Sequence, residues 1–509
     1  MKDLKFSIFI IVLFCLISCK KTSTPQSSDK RAVELLNTQC ATCHNAPSPL
    51  DLPKDLWKNA VLPEMGARMG IYNSKYNPLA GFSFSEQEQI IKTGIYSRKA
   101  IISNEDWALL QEYIINSAPD TLATISHAPL KKGLPQFTIK PIDLDSVPGS
   151  SICFIEVNND NGSIVTANLS GKLSNYNYDT DEIYDINSYR SPITSHIQKD
   201  SIDYVTTIGF LNPSELSKGV IHKVSGDSVQ QIVTDLHRPV HTSVYDFNND
   251  GKDELLVSEF GHLTGALSLW EKKDNNGYEK KILLDQPGII RTIVKDMNND
   301  HKMDIVLMSS QGNEGVSILY QTDALSFRME RVLRFNPVYG SSWFELIDYD
   351  GDGDDDIITV NGDNADKTYI HKPYHGMRIH INDGKNNFEE KHFYPMHGAT
   401  RFVADDFDGD QDIDFALLSS FPDYEKHPDF SFIYLENIDA KSYEFETYGL
   451  EDPSMGRWLL LDSGDIDNDG DQDIVLSSFT YYFTPVPTDL NQKWKKSNTD
   501  ILVLENIMK

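Results

Sequence analysis

Cysteine is scarce in this chain, and its placement excludes a disulfide framework. Of the five cysteines in 509 residues, Cys15 lies in an N-terminal apolar run and Cys19 ends it. Cys40 and Cys43 belong to one short motif and Cys153 stands alone, so no pair is left for a structural bridge. Positive charge is also in short supply. There are 46 Lys and Arg against 76 Asp and Glu, a formal net charge of -30, and such a polyanion does not seek nucleic acid or anionic lipid. Long apolar runs are missing beyond the first residues. Phe6 to Ile17 follows Lys2 and Lys5 and is shorter than the roughly 20 residues that span a bilayer, so it reads as a signal sequence. A nucleophile elbow, a phosphate loop and a paired-carboxylate pattern are missing too. The length itself calls for more than one core.

The apolar run ends Leu16-Ile17-Ser18-Cys19, which resembles the lipobox of bacterial lipoproteins. That resemblance implies a signal peptide over 1–18, a lipid on Cys19 and a polar tether over 19–30. It also implies an extracytoplasmic, membrane-anchored location, with the outer membrane facing the periplasm as the expected one. The alternative is an ordinary secretory signal with an incidental cysteine.

Cys40-Ala41-Thr42-Cys43-His44 is a CxxCH sequence, the attachment signature of c-type haem. Two thiols at this spacing reach both vinyl groups, and the histidine that follows places an imidazole under the iron. A zinc site would need further Cys or His ligands nearby, and none lies between His44 and His127. Amphipathic patterns over 31–44, 86–96 and 104–117 predict helices, the last carrying Trp107, Leu110, Tyr113 and Ile114 at helical spacing. Residues 31–125 thus resemble a small monohaem cytochrome c domain, which implies a fold of two parts: an all-α domain followed by an all-β one. The resemblance also implies one covalent haem on Cys40, Cys43 and His44, with a thioether as the sixth iron ligand. Met65 is preferred to Met69 because Pro63 resembles a proline-bearing ligand loop. His127, beyond the last predicted helix, is a poorer candidate, and Trp57 is expected to pack in the haem pocket.

The strongest internal signal is a repeated acidic loop. Five copies begin at Asp246, Asp296, Asp348, Asp406 and Asp465, so successive starts are 50, 52, 58 and 59 residues apart. The candidate ligands, at positions one, three, five and nine, are Asp246, Asn248, Asp250 and Glu254; Asp296, Asn298, Asp300 and Asp304; Asp348, Asp350, Asp352 and Asp356; Asp406, Asp408, Asp410 and Asp414; and Asp465, Asp467, Asp469 and Asp473. Four side-chain oxygens and a backbone carbonyl at position seven suit calcium. Position six favours glycine for a sharp turn, from which His301 and Gln411 depart. Position twelve is apolar or Thr and a β-type run follows each loop, which excludes EF-hands. The pattern resembles FG-GAP/VCBS repeats of integrin-like propellers. Five blades with loops and two without, over 148–509, imply seven, with 126–147 as linker and closing strand.

In a meandering blade the turns after the second strand lie on the face opposite the acidic loops. Those turns, at 259–265, 369–375, 421–430 and 479–483, are rich in aromatics and histidine, which suits recognition. His371, His375 and His380 span a turn and a strand and offer no fixed ligand pattern. Three functions compete: an electron-transfer lipoprotein whose propeller docks a redox partner or substrate, a propeller oxidoreductase passing electrons from a small molecule to the haem, and an extracytoplasmic binding or adhesion protein.

Overall fold

The computed structural model describes residues 27–274, 277–364, 369–481 and 484–508. The expected signal sequence, Cys19 and most of the expected tether lie outside these residues.

Each acidic repeat folds because its second strand carries an apolar centre and is buried throughout, while its fourth is not. Glu254–Glu259, Asp304–Ser309, Asp356–Asn361, Asp414–Ser419 and Asp473–Ser478 are buried along their whole length, as strands covered on both faces are. The outermost strands, such as Tyr278–Leu284 and Phe388–Pro395, expose lysines and glutamates, which keeps the sheet edge from pairing with another chain. The strands form seven sheets. Their first strands contact one another in sequence around an axis, giving a β-propeller whose core lies between adjacent blades. Blade 7 takes its outermost strand from the start of the ring: Phe137–Ile142 pairs antiparallel with Ile501–Asn506. Leu130–Lys132 adds a fifth, parallel strand to blade 6.

The seven blades agree with the repeat count, whereas the expected two-part fold does not hold. No distinct all-α cytochrome domain is present; the helices among the described residues are few and short, chiefly Ser27–Gln39, Leu62–Arg68, Phe84–Thr93 and Asn104–Ser117. Their apolar cluster, built on Leu35, Trp57, Trp107 and Leu110, is continued by Val338 and Ile370 of the propeller. Asn45 donates to the Phe335 carbonyl at 3.2 Å, Tyr374 to the Asp51 carbonyl at 2.7 Å, and Ser214 to Glu86 at 2.7 Å. So small a set of helices cannot bury its apolar surface alone, and it leans on the propeller. The stretch around Pro63 is not a loop either. Lys54–Leu56, Trp57–Val61 and Leu62–Arg68 follow one another without a break, and Pro63 falls in the first turn of the last piece, directly after the widened turn in which the Leu62 N–H donates to the Trp57 carbonyl.

Candidate functional site

The CxxCH motif begins where Ser27–Gln39 tightens into a 3-10 turn over Cys40–Thr42. Cys40 is half-buried, Cys43 is exposed, and the two thiols are not joined. The His44 ring nitrogen Nδ1 lies 2.7 Å from the Asn45 carbonyl, a contact that orients the ring and leaves Nε2 for another partner. A groove of about 530 Å³ opens beside it, lined by Asn37, Ala41, His44 and Ala46 on one side and by Arg334, Asn336 and Tyr339 of the propeller on the other. Cys40 and Cys43 flank the groove-lining Ala41 and His44 without lining the groove themselves; two free thiols and an imidazole at this spacing are the donor set of covalent haem.

Met65 packs against the helical cluster, and Met69 is buried within it, 8% exposed. Next to Met65, Glu64 accepts hydrogen bonds from Tyr96 at 2.9 Å, from Arg68 at 3.0 Å and from Tyr76. Burial alone would raise its pKa, but these donors and the Arg68 charge hold it below the usual range. Trp57 is 2% exposed, and its indole N–H donates to the Pro49 carbonyl at 2.9 Å.

The turns expected to serve recognition are in part occupied by the helical segment itself. Tyr374 stacks on Tyr339 with centroids 5.2 Å apart, and the buried Arg378 guanidinium lies 4.5 Å over Tyr339. Phe82 meets His262 at 5.8 Å. The face away from the acidic loops is therefore a docking face within one chain. Part of the turn at 479–483 lies outside the described residues.

The acidic loops share one backbone design. In four loops the carboxylate at position one accepts the amides of positions five and six, as from Asp352 and Gly353 to Asp348, both at 3.0 Å; Asp406 instead accepts those of positions four and six, Gly409 at 2.8 Å and Gln411 at 3.0 Å. Position six has positive φ in all five: Gly251, His301, Gly353, Gln411 and Gly470. Position four does too, at Asn249, Asn299, Gly351, Gly409 and Asn468, which explains why only Asn and Gly occur there. That regularity was visible in the sequence and carries no ligand.

Position nine has two duties. Asp473 is fully buried and accepts the amides of Ile466 at 2.9 Å and Asn506 at 2.7 Å, latching its loop to the third strand. Asp356 does the same with Tyr349 and Asn382, and Asp304 with Met297 and Gln321. Burial raises Asp356 to about 6 and Asp473 to about 7. Asn506 in turn donates to the Phe407 and Gln472 carbonyls.

Carboxylate oxygens converge within 4.8 Å at Asp348, Asp350 and Asp356, at Asp406, Asp408 and Asp410, and at Asp465, Asp467 and Asp473. Asp143, Asp145 and Asp500 form a further such group that the repeat pattern did not reveal. Position seven adds what sequence reasoning missed. In three loops it is Asp354, Asp412 or Asp471, each with a buried carboxylate oxygen lacking a hydrogen-bond partner among the described residues. Burial, with the neighbouring carboxylates, raises Asp412 to about 6 and Asp471 to about 7. Orphaned oxygens beside converging carboxylates fit a hard divalent cation.

A family model described as an FG-GAP-like repeat matches residues 296–359. No curated protein matches the chain. Similar solved structures include the N-terminal domain of Nup159 at 11% identity and TM-score 0.39, over 74% of this chain and 97% of that one. A luciferin-regenerating enzyme aligns at 9% identity and TM-score 0.36, over 73% and 96%. The WD40 domain of SCAP from fission yeast aligns at 11% and 0.37, over 74% and 88%.

Proposed function

We propose that this chain is an exported, lipid-anchored haem protein in which a calcium-stiffened propeller docks a redox partner or small-molecule substrate. The binding role rests on the FG-GAP-like propeller. The haem reading is carried by one observation: His44 of the CxxCH motif borders a groove shared with Arg334, Asn336 and Tyr339 of the propeller. In this reading Cys40 and Cys43 hold the haem covalently, His44 ligates it, and Met65 is the sixth ligand. Bound haem supplies one-electron transfer. The helical segment holds it against the propeller and has no domain of its own. Asn45 and Asp51, tied to Phe335, Asn336 and Tyr374, fix the motif over the groove, so a molecule entering there meets both parts at once. Calcium is assigned to the acidic loops on their orphaned and converging oxygens.

The test is pyridine haemochrome analysis of protein matured in an exporting host. One covalent haem per chain is expected, lost in Cys40→Ala/Cys43→Ala; absence of haem from the wild type contradicts the reading. Met65→Ala is expected to lower the haem potential. Met69→Ala, emptying a buried site, is expected to cost about 2–5 kcal/mol of stability.

A further inference from the structure

Five histidines lie where the connector from the last helix crosses blades 5 and 6. His371 and His375 precede the third strand of blade 5, His397 precedes Ala399–Asp405 of blade 6, His427 lies in a blade 6 turn, and His127 is in the connector. Ring centroids are 4.9 Å apart for His371 and His397, 5.7 Å for His127 and His397, and 4.5 Å for His127 and His427. Imidazoles sharing one tetrahedral ion at about 2.0–2.1 Å place their centroids about 5 Å apart.

The free nitrogens sharpen this. Both ring nitrogens of His127, Nε2 of His371 and Nδ1 of His397 are buried with no hydrogen-bond partner among the described residues. A buried nitrogen without a partner costs about 1–3 kcal/mol, so three neighbouring rings with such nitrogens call for an occupant, and one ion takes one nitrogen from each. The other nitrogens are engaged as a metal site requires. His371 Nδ1 lies 3.5 Å from the buried Asp423 carboxylate, and the His397 ring, 7% exposed, is hydrogen-bonded to the Lys372 backbone. Carboxylate or carbonyl behind an imidazole, with the second nitrogen facing forward, is the outer support of a histidine metal centre.

We propose that His127, His371 and His397 bind a transition-metal ion of the zinc and copper class, with the fourth position left to His427 or water. Imidazole selects these ions over calcium. The groups whose ligand atoms converge within 4.8 Å among the described residues are all carboxylates; the three imidazoles are neighbours whose nitrogens do not yet meet, and they gather a common ion only on side-chain rotation. The ion ties the connector at His127 to blades 5 and 6, beside Ile370, where the helical cluster meets the propeller.

The experiment is calorimetric titration of the full chain with Zn2+ in excess calcium, repeated with Co2+ for its tetrahedral visible bands. Wild type is expected to take up one Zn2+ that His371→Gln/His397→Gln does not, with affinity falling at least about 100-fold. His127→Gln, outside the blades and checked for folding by circular dichroism, is expected to show the same loss and no cobalt bands. No zinc uptake by wild type, or equal uptake by His127→Gln, overturns the proposal.

Discussion

Blades 1 and 2 and blades 3 to 7 make the same first hairpin by opposite means. Blades 1 and 2 turn in four residues, 159–162, and two, 200–201. Asp200 and Ser201 both have positive φ, as a type I′ hairpin demands. Blades 3 to 7 use eight residues each and fill them with carboxylates. The first pair is held by the protein's own partners: His196 lies 3.0 Å from Glu156 and 3.5 Å from Asp203, and Lys199 pairs with Asp253. In three of the other five, carboxylate oxygens converge, and in four of them an oxygen of Glu254, Asp354, Asp412 or Asp471 is left unpaired among the described residues. With calcium in the acidic loops, as proposed, the difference teaches that one propeller joins a self-sufficient part to a part whose stability waits on a cation.

The largest expected effect follows directly. Calcium removal should lower the melting temperature by about 10 °C or more, read by calorimetry; an unchanged transition would dissolve the contrast. Next comes Asp473→Ala, which leaves two buried amides unpaired and should cost about 3 kcal/mol. Denaturant titration in saturating calcium reads that loss. On the cation-independent side, burial depresses His196, yet hydrogen bonds to Asp203 and Glu156 outweigh it and lift the imidazole to about 9. A raised folded-state pKa contributes stability below the ordinary value near 6.5 and loses it as pH rises through about 9. Wild type should therefore exceed His196→Gln by about 2 kcal/mol in mild acid and lose that margin in alkali. The smallest effect is a gain: His301→Gly should stabilise blade 4 by about 1 kcal/mol, because His301 sits at positive φ where glycine is free.

Much of the propeller was legible because its signal is local and repeated. Asp, a small residue and a fixed return to an apolar strand recur at each blade. What escaped reading is not local. The helical segment's reliance on Val338, Ile370 and Tyr374 joins residues some 300 positions apart, and no periodicity records it. Pro63 was taken for a loop marker, yet proline fits equally well in a helical first turn. Among the histidines, His380 turns to the Ile357 carbonyl while His127, His397 and His427 gather from three distant turns. At position seven attention to the backbone carbonyl passed over the side chain, which is a carboxylate in three loops.

Hydrogen exchange followed residue by residue, with and without calcium, tests the contrast most directly. The amides of Phe247, Met297, Tyr349 and Ile466, latched to the position-nine acids, should lose protection on chelation. Amides of Ile164 and Val205, in the second strands of blades 1 and 2, should keep theirs. Equal loss in all seven blades, or loss in none, would contradict the account.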